Sequence, residues 1–216
     1  MSARLLTYIP FSYINLHKDA IGNAETVLDL GCGDGEFMKS IYSEKWKVTG
    51  VDIFGDSLIR AKNTGCYTTL IRGDVNQVCK DLIRKRRKFD VVFCSEVIEH
   101  IDKEKGEELL KLVDKLAKKR SVFATPRGFM EQPHEFLGGN PHQHHKSGWD
   151  INNFIRHGYS VKGLGFLPVW SEKGWGRNSN KLIAWFATAL SFIFSPLVYY
   201  FPNLGSGMLA VKNYGK

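Results

Sequence analysis

Short apolar, β-branched runs recur along the chain at Thr26–Leu30, Lys47–Val51, Tyr67–Ile71, Phe89–Ser95 and Ser121–Thr125. Their hydrophobicity is continuous rather than alternating, which predicts strands buried on both faces of a parallel sheet. Between them apolar positions return at helical spacing. Glu36–Ser43 carries Phe37, Met38 and Ile41; Ser57–Asn63 and Asn76–Ile83 follow; Glu104–Lys118 turns Leu109, Leu110, Leu112, Val113 and Leu116 inward. Strand and helix thus alternate through the fifth strand, the signature of an α/β chain. A further helix opens at Ser147–Asp150 and runs to His157, with Gly158 as its C-cap, and Tyr159–Phe166 and Gly207–Val211 predict two last strands.

Two stretches depart from this rhythm. Residues 1–25 are apolar and aromatic through Leu5, Leu6, Tyr8, Ile9, Phe11 and Tyr13 and are interrupted by Pro10; they are expected to pack on the domain, the other readings being closure over the cofactor or contact with a membrane. They lack the basic start, continuous apolar run and cleavage site of a secretory signal, which points to the cytoplasm. Leu182–Phe201 contains no charged residue and is long enough to cross a bilayer. A chain leaving the sixth strand must return to the same sheet for the seventh, which argues against a single crossing. Pro196 is expected to break the run after about a dozen helical residues. Trp170, Trp175, Trp185, Tyr199 and Tyr200 surround the segment, and Lys173, Arg177 and Lys181 precede it. It reads as a helical insert that rests on an anionic membrane surface, covers a greasy substrate, or packs in the core.

The 216 residues predict one domain: an N-terminal apolar segment (1–25), a ligand-binding core with a His-rich loop (26–166), the hydrophobic insert (167–205) and the last strand (206–212). Cys32, Cys66, Cys79 and Cys94 are scattered without metal-ligand spacing and read as reduced thiols. The net charge of +8 favours an acidic partner, nucleic acid or an anionic membrane. Much of it, however, lies in Arg84–Lys88 and Lys118–Arg120, which precede predicted strands at the edge opposite the expected ligand site and read as solvated surface.

Residues 29–35 read Asp-Leu-Gly-Cys-Gly-Asp-Gly. Gly31, Gly33 and Gly35 allow positive φ and close approach of the backbone to a ligand. Asp52 closes the second strand about 20 residues after the first glycine, where a carboxylate can take both hydroxyls of a ribose. The spacing differs from the dinucleotide fingerprint, and Asp29 would repel a pyrophosphate but suits an ammonium group. The residues by themselves therefore indicate an adenosine-like ribose joined to a zwitterion.

This combination closely resembles the class I S-adenosylmethionine methyltransferases. The resemblance extends over nearly the whole chain and implies a Rossmann-like, seven-stranded, mostly parallel sheet with helices on both faces and an antiparallel final hairpin. It implies S-adenosyl-L-methionine as cofactor, held by Asp29, Gly31, Cys32, Gly33, Gly35, Asp52 and Ile53. Asp74 and Val75 would meet the adenine, and Ser95 and Glu96 would lie next to the cofactor. Asp74 also suits a helix N-cap.

Glu96, Glu99 and His100 fall at spacings of three and four and share one face if helical. Two carboxylates and an imidazole can hold a hard divalent ion, or His100 can act as a general base. A long loop rich in Gly, Pro and His brings His134, His142, His144 and His145 above the same sheet edge. Glu96-x-x-Glu99-His100, Thr125-Pro126 and His145-Lys146-x-x-Trp149 resemble the small-RNA 2′-O-methyltransferases, whose two glutamates and two histidines bind magnesium. Glutamates and histidines so placed also occur in the methyltransferases of ubiquinone biosynthesis. The resemblance implies Glu96, Glu99, His100 and His145 as ligands of Mg2+ or another divalent metal, although the loop lacks the acidic and aromatic neighbours of the RNA enzymes. In the other reading Glu96 faces the cofactor and His100 caps or packs.

The expected reaction is transfer of the cofactor's methyl group to oxygen or nitrogen by in-line displacement, with His100 or His145 as base. The expected acceptor is a small molecule with an apolar tail: a lipid, a quinone or a lipid-linked sugar precursor. RNA is the runner-up, and a non-catalytic, membrane-associated cofactor-binding role is the third reading.

Overall fold

A computed structural model describes residues 7–131, 140–171 and 173–215. The chain forms α1 (Tyr13–Ile21), β1 (Thr26–Leu30), α2 (Glu36–Ile41), β2 (Lys47–Asp52), α3 (Gly55–Asn63), β3 (Tyr67–Arg72), α4 (Val75–Arg84), β4 (Phe89–Ser95), α5 (Lys103–Leu116) and β5 (Ala117–Pro126). After a loop come α6 (Ile151–Ile155), β6 (Ser160–Phe166), α7 (Leu167–Trp170), α8 (Lys181–Tyr200) and β7 (Gly205–Asn213). The strands make one seven-stranded sheet in the order β3-β2-β1-β4-β5-β7-β6. The first five run parallel, and β7 is antiparallel to both β5 and β6.

Successive strand residues face opposite sides, so the continuous apolar runs feed two cores. Leu28, Val92 and Phe123 pack with Leu109 and Val113 of α5, while Val27, Phe93 and Val122 pack with Ile21 of α1 and Met38 and Ile41 of α2. Both faces are covered, as a parallel sheet requires. The basic run Arg84–Lys88 is solvent-exposed, and Lys118 and Lys119 pair with the buried Asp90 at 3.8 and 2.9 Å.

The N-terminal segment contains a helix that its sequence did not announce. Ser12 caps it by accepting from Asn15 N at 3.1 Å. His17, fully buried, stacks between Tyr13 and Phe37 with ring centroids 4.1 and 5.1 Å away. Leu5 and Leu6 lie outside the described residues.

The insert corrects one expectation. Pro196 does not break the apolar run, because α8 is continuous from Lys181 to Tyr200. A proline removes the N–H that would serve the carbonyl four residues back. That carbonyl, Phe192 O, instead accepts from Ser195 Oγ at 2.7 Å. The helix lies close to β6 because Gly163 has no side chain: a Cβ there would meet Val198 O at 2.3 Å. Phe166 pairs with Gly205, so the insert leaves and rejoins the sheet at adjacent positions.

Candidate active site

The carboxyl ends of β1 and β2 form one half of the site. Gly31, Gly33 and Gly35 all have positive φ, at 72°, 55° and 78°. A Cβ on Gly31 would sit 2.1 Å from Val97 Cγ2, and one on Gly35 would sit 2.7 Å from the Tyr67 ring, whereas Gly33 has nothing within 4 Å. The turn is thus packed from behind and open in front. Gly31 N and Cys32 N donate to Val51 O at 2.7 and 2.9 Å. Asp52 accepts from Gly33 N and Phe54 N, both at 2.8 Å. A carboxylate has about four lone-pair sites, so two remain for a ribose.

Ile53 follows, 38% exposed. Asp74 caps α4 through Gln77 N at 3.0 Å, with Val75 buried behind it. Asp29 is only 4% exposed and accepts from Tyr67 Oη at 2.8 Å. Burial lifts its carboxyl to about 7, against the pull of the Tyr67 hydroxyl and with a further push from Asp52. The folded state therefore holds a proton that the unfolded chain releases near pH 4, so this group's contribution falls as pH rises through 7. The melting temperature of the ligand-free protein, compared with Asp29→Asn, is expected to drop relative to the variant between pH 5 and pH 8. A constant difference would show that Asp29 is charged throughout.

The other half lies beyond β4. Ser95 is half-buried at the strand end. Glu96 to His100 is not a helical face, since only Ile98–His100 makes a single 3-10 turn and Glu96 adopts φ of 55°. Glu96 N donates to Ala124 O at 2.8 Å, and Glu96 Oε1 accepts from Tyr13 Oη at 3.2 Å. A left-handed turn achieves what a helix was expected to do.

The loop after β5 folds back onto this turn. Lys146 N and Ser147 N donate to Glu99 O, and Trp149 Nε1 donates to Ile98 O. His100 and His145 are thereby brought together, ring centroids 4.8 Å apart. Ligand atoms of Glu99, His100 and His145 all lie within 4.8 Å of one another; Glu96 is outside that group of three. His142 is exposed, and His134 lies outside the described residues.

These residues fit a divalent metal. Glu99 is 2% exposed; its Oε2 accepts from Thr125 Oγ1 at 2.9 Å, but its Oε1 has no hydrogen-bond partner among the described residues. Burial, then the nearby Glu96 charge, push the Glu99 carboxyl well above the usual carboxylate range. His100 Nδ1 faces the carbonyl of His144, and His145 Nδ1 faces that of Met130. With the protons on Nδ1, both rings turn the Nε2 lone pair free, the tautomer a metal or a general base requires.

A cavity of about 940 Å³ runs from Glu96 and His145 to the insert; Glu99 and His100 are not among its lining residues. Glu96, Pro126 and His145 line one end; Phe166, Trp170, Phe192 and Val198 line the other; Tyr13 and Phe11 form one wall. Sequence reading missed Tyr13 and the floor made by Gly163, Gly165 and Gly207, because their partners are far away along the chain.

Sheet order, glycine turn and the carboxylate after β2 are arranged as in the class I S-adenosylmethionine-dependent methyltransferase fold. Residues 27–120 match the family model described as a methyltransferase domain. The chain is 35% identical over 79 residues to the mitochondrial ubiquinone biosynthesis O-methyltransferase of Saccharomyces cerevisiae, a match covering 36% of this chain and 25% of that enzyme. The whole fold resembles a SAM-dependent methyltransferase from Archaeoglobus fulgidus (TM-score 0.58, 19% identity, 97% and 98% of the two chains). It also resembles the methyltransferase domain of bacterial CtHen1-C (TM-score 0.57, 18% identity, 96% and 100%). At these identities the structural likenesses show the fold alone.

Proposed function

We propose that the protein transfers the methyl group of S-adenosylmethionine to an oxygen of a small, lipid-like acceptor at a membrane surface. The observation that carries this reading is the cavity that begins at Glu96 and His145 and continues along α8. Its apolar length suits a tail and its polar end suits a hydroxyl. The yeast relative, named for O-methylation in ubiquinone biosynthesis, favours oxygen and a quinone-like ring, and the family model ends at residue 120, before the insert.

In the reaction the acceptor oxygen attacks the methyl carbon, the C–S bond of the sulfonium breaks, and the hydroxyl proton passes to an imidazole Nε2. The sulfonium is already activated, so the protein contributes alignment and proton removal. Burial lowers the His100 imidazole to about 4 and keeps it an unprotonated acceptor at neutral pH. Glu96, held by Tyr13, orients the groups beside the turn. Where a divalent metal is bound, Glu99, His100 and His145 would hold it, with Glu96 adjacent, and it would lower the pKa of a coordinated hydroxyl.

Gly207→Val tests the acceptor site. A Cβ at Gly207 makes only ordinary contacts, 3.4 Å to Thr125 O and 3.6 Å to Leu164 Cβ, so the added bulk enters the cavity. Turnover of amphiphilic phenols by labelled cofactor is expected to fall roughly 10-fold or more in kcat/KM, with cofactor affinity unchanged. Methylation of an RNA 3′ end by a preparation that ignores every amphiphile would replace this reading.

A further inference from the structure

The outer side of α8 is unlike the rest of the surface. Leu182, Phe186, Ile193, Leu197 and Tyr200 recur at helical spacing on the side opposite the buried Ala187, Ser191 and Val198. Phe186 is 65% exposed, Ile193 73% and Trp185, on the flank, 64%. In a helix long and apolar enough to enter a membrane, hydroxyls left without partners would resist transfer out of water. Here the serine and threonine hydroxyls are already engaged. Thr188 Oγ1 donates to Ala184 O at 2.8 Å, Ser195 Oγ serves the carbonyl freed by Pro196, and Ser191 Oγ accepts from Trp170 Nε1 at 2.8 Å.

Beyond Glu172 the charge along this segment has one sign, and Asp19 is the acid near Tyr199. From Lys173 to Lys216 the chain contains no aspartate or glutamate. Lys173 and Arg177 precede Lys181, the first residue of α8, and Lys162 lies 5.0 and 5.4 Å from the rings of Tyr199 and Tyr200 at the other end. Cations and amphipathic aromatics therefore mark both ends of the apolar stripe, the pattern of a helix lying in an interface. The pairing of Phe166 with Gly205 keeps both ends of the insert on one side, and the Gly163–Val198 approach holds the helix against the sheet. Exposed Arg177 and Trp170 also line the cavity, and Arg177 precedes the N-terminal end of α8.

We infer that the outer face of α8 docks in the plane of an anionic lipid bilayer, with the cavity mouth at headgroup level, so that the acceptor enters from the lipid rather than from water. This deepens the lipid-like reading of the acceptor, yet it rests on the outer face and not on the chemistry at His145, and the two can fail separately.

Purified full-length protein is mixed with vesicles of phosphatidylcholine, alone or with phosphatidylglycerol, and the bound fraction is measured by sedimentation and by tryptophan emission. Binding is expected with anionic vesicles, accompanied by a blue shift, and falling with salt. Trp185→Asp with Ile193→Asp should lower partitioning more than roughly 10-fold, with circular dichroism and cofactor affinity unchanged. Lys173→Glu with Lys181→Glu should weaken binding about fivefold for each cation removed, and only with anionic vesicles. Protein remaining in solution with both vesicle types overturns the inference. So does a lipid-independent oligomer in light scattering that the Trp185→Asp, Ile193→Asp variant dissolves, which would make a second copy the occupant. Loss of methyl transfer with vesicle binding intact would instead count against the acceptor reading.

Discussion

Asp52→Asn is expected to weaken S-adenosylmethionine binding roughly 100-fold, as read by titration calorimetry. Asp52 ties Gly33 N–H and Phe54 N–H together at 2.8 Å each, and its remaining lone pairs are left for the hydroxyls of a ribose. Asparagine has one acceptor oxygen, and its NH2 group would confront one of those two N–H donors. Hydrogen bonds to a charged group are worth about 1.5–3 kcal/mol, so losing the charge and one acceptor costs two orders of magnitude without further assumptions. The ligand-free protein should also melt earlier, because the glycine turn loses one of its ties to β2. Asp74→Asn is the contrast: asparagine caps helices as well as aspartate, so folding should be unaffected and any loss confined to binding. Wild-type affinity in Asp52→Asn would remove the ribose assignment.

The second large effect is expected at the paired histidines. His100→Ala and His145→Ala should each lower kcat by about 10²–10⁴, the range for loss of a positioned acid–base group, while cofactor affinity stays within error of wild type. Because burial holds His100 down to about 4, protonation disables it only in strong acid. The acid limb of the kcat profile attributable to His100 should therefore lie near pH 4 rather than near the ordinary histidine value. A limb near 6.5 would assign the base elsewhere. Manganese binding, followed by calorimetry or electron spin resonance, separates the two uses of the same residues: Glu99→Gln should abolish it if Glu99 Oε1 is a ligand. A protein that binds no divalent ion yet loses turnover in both histidine variants is using imidazole alone.

Several elements were legible because their causes are local. The runs Thr26–Leu30 and Phe89–Ser95 are apolar without alternation, and both became central strands. Three glycines at alternate positions meant positive φ, and each has it. Asp74 before a helical run meant a cap, and it caps. Where the cause was distant, reading the chain went astray. Pro196 signalled a break because local rules see a missing N–H, whereas Ser195 supplies a substitute and packing of Val198 on Gly163 holds the helix straight through it. The spacing of Glu96, Glu99 and His100 suggested one helical face, but a left-handed residue and a single turn present these groups instead.

What the amino-acid order determined by itself was the kind of ligand and the kind of sheet, since a glycine turn, a following acid and continuous apolar runs act through backbone sterics and burial within a few residues. Only the tertiary structure decided that Tyr13 reaches Glu96, that a loop 45 residues beyond His100 brings His145 against it, and that α8 walls a cavity with one side while leaving the other to the surroundings. Those relations join residues far apart in the chain, and the last exists because β7 inserts between β5 and β6 and pairs Gly205 with Phe166 where the insert begins and ends.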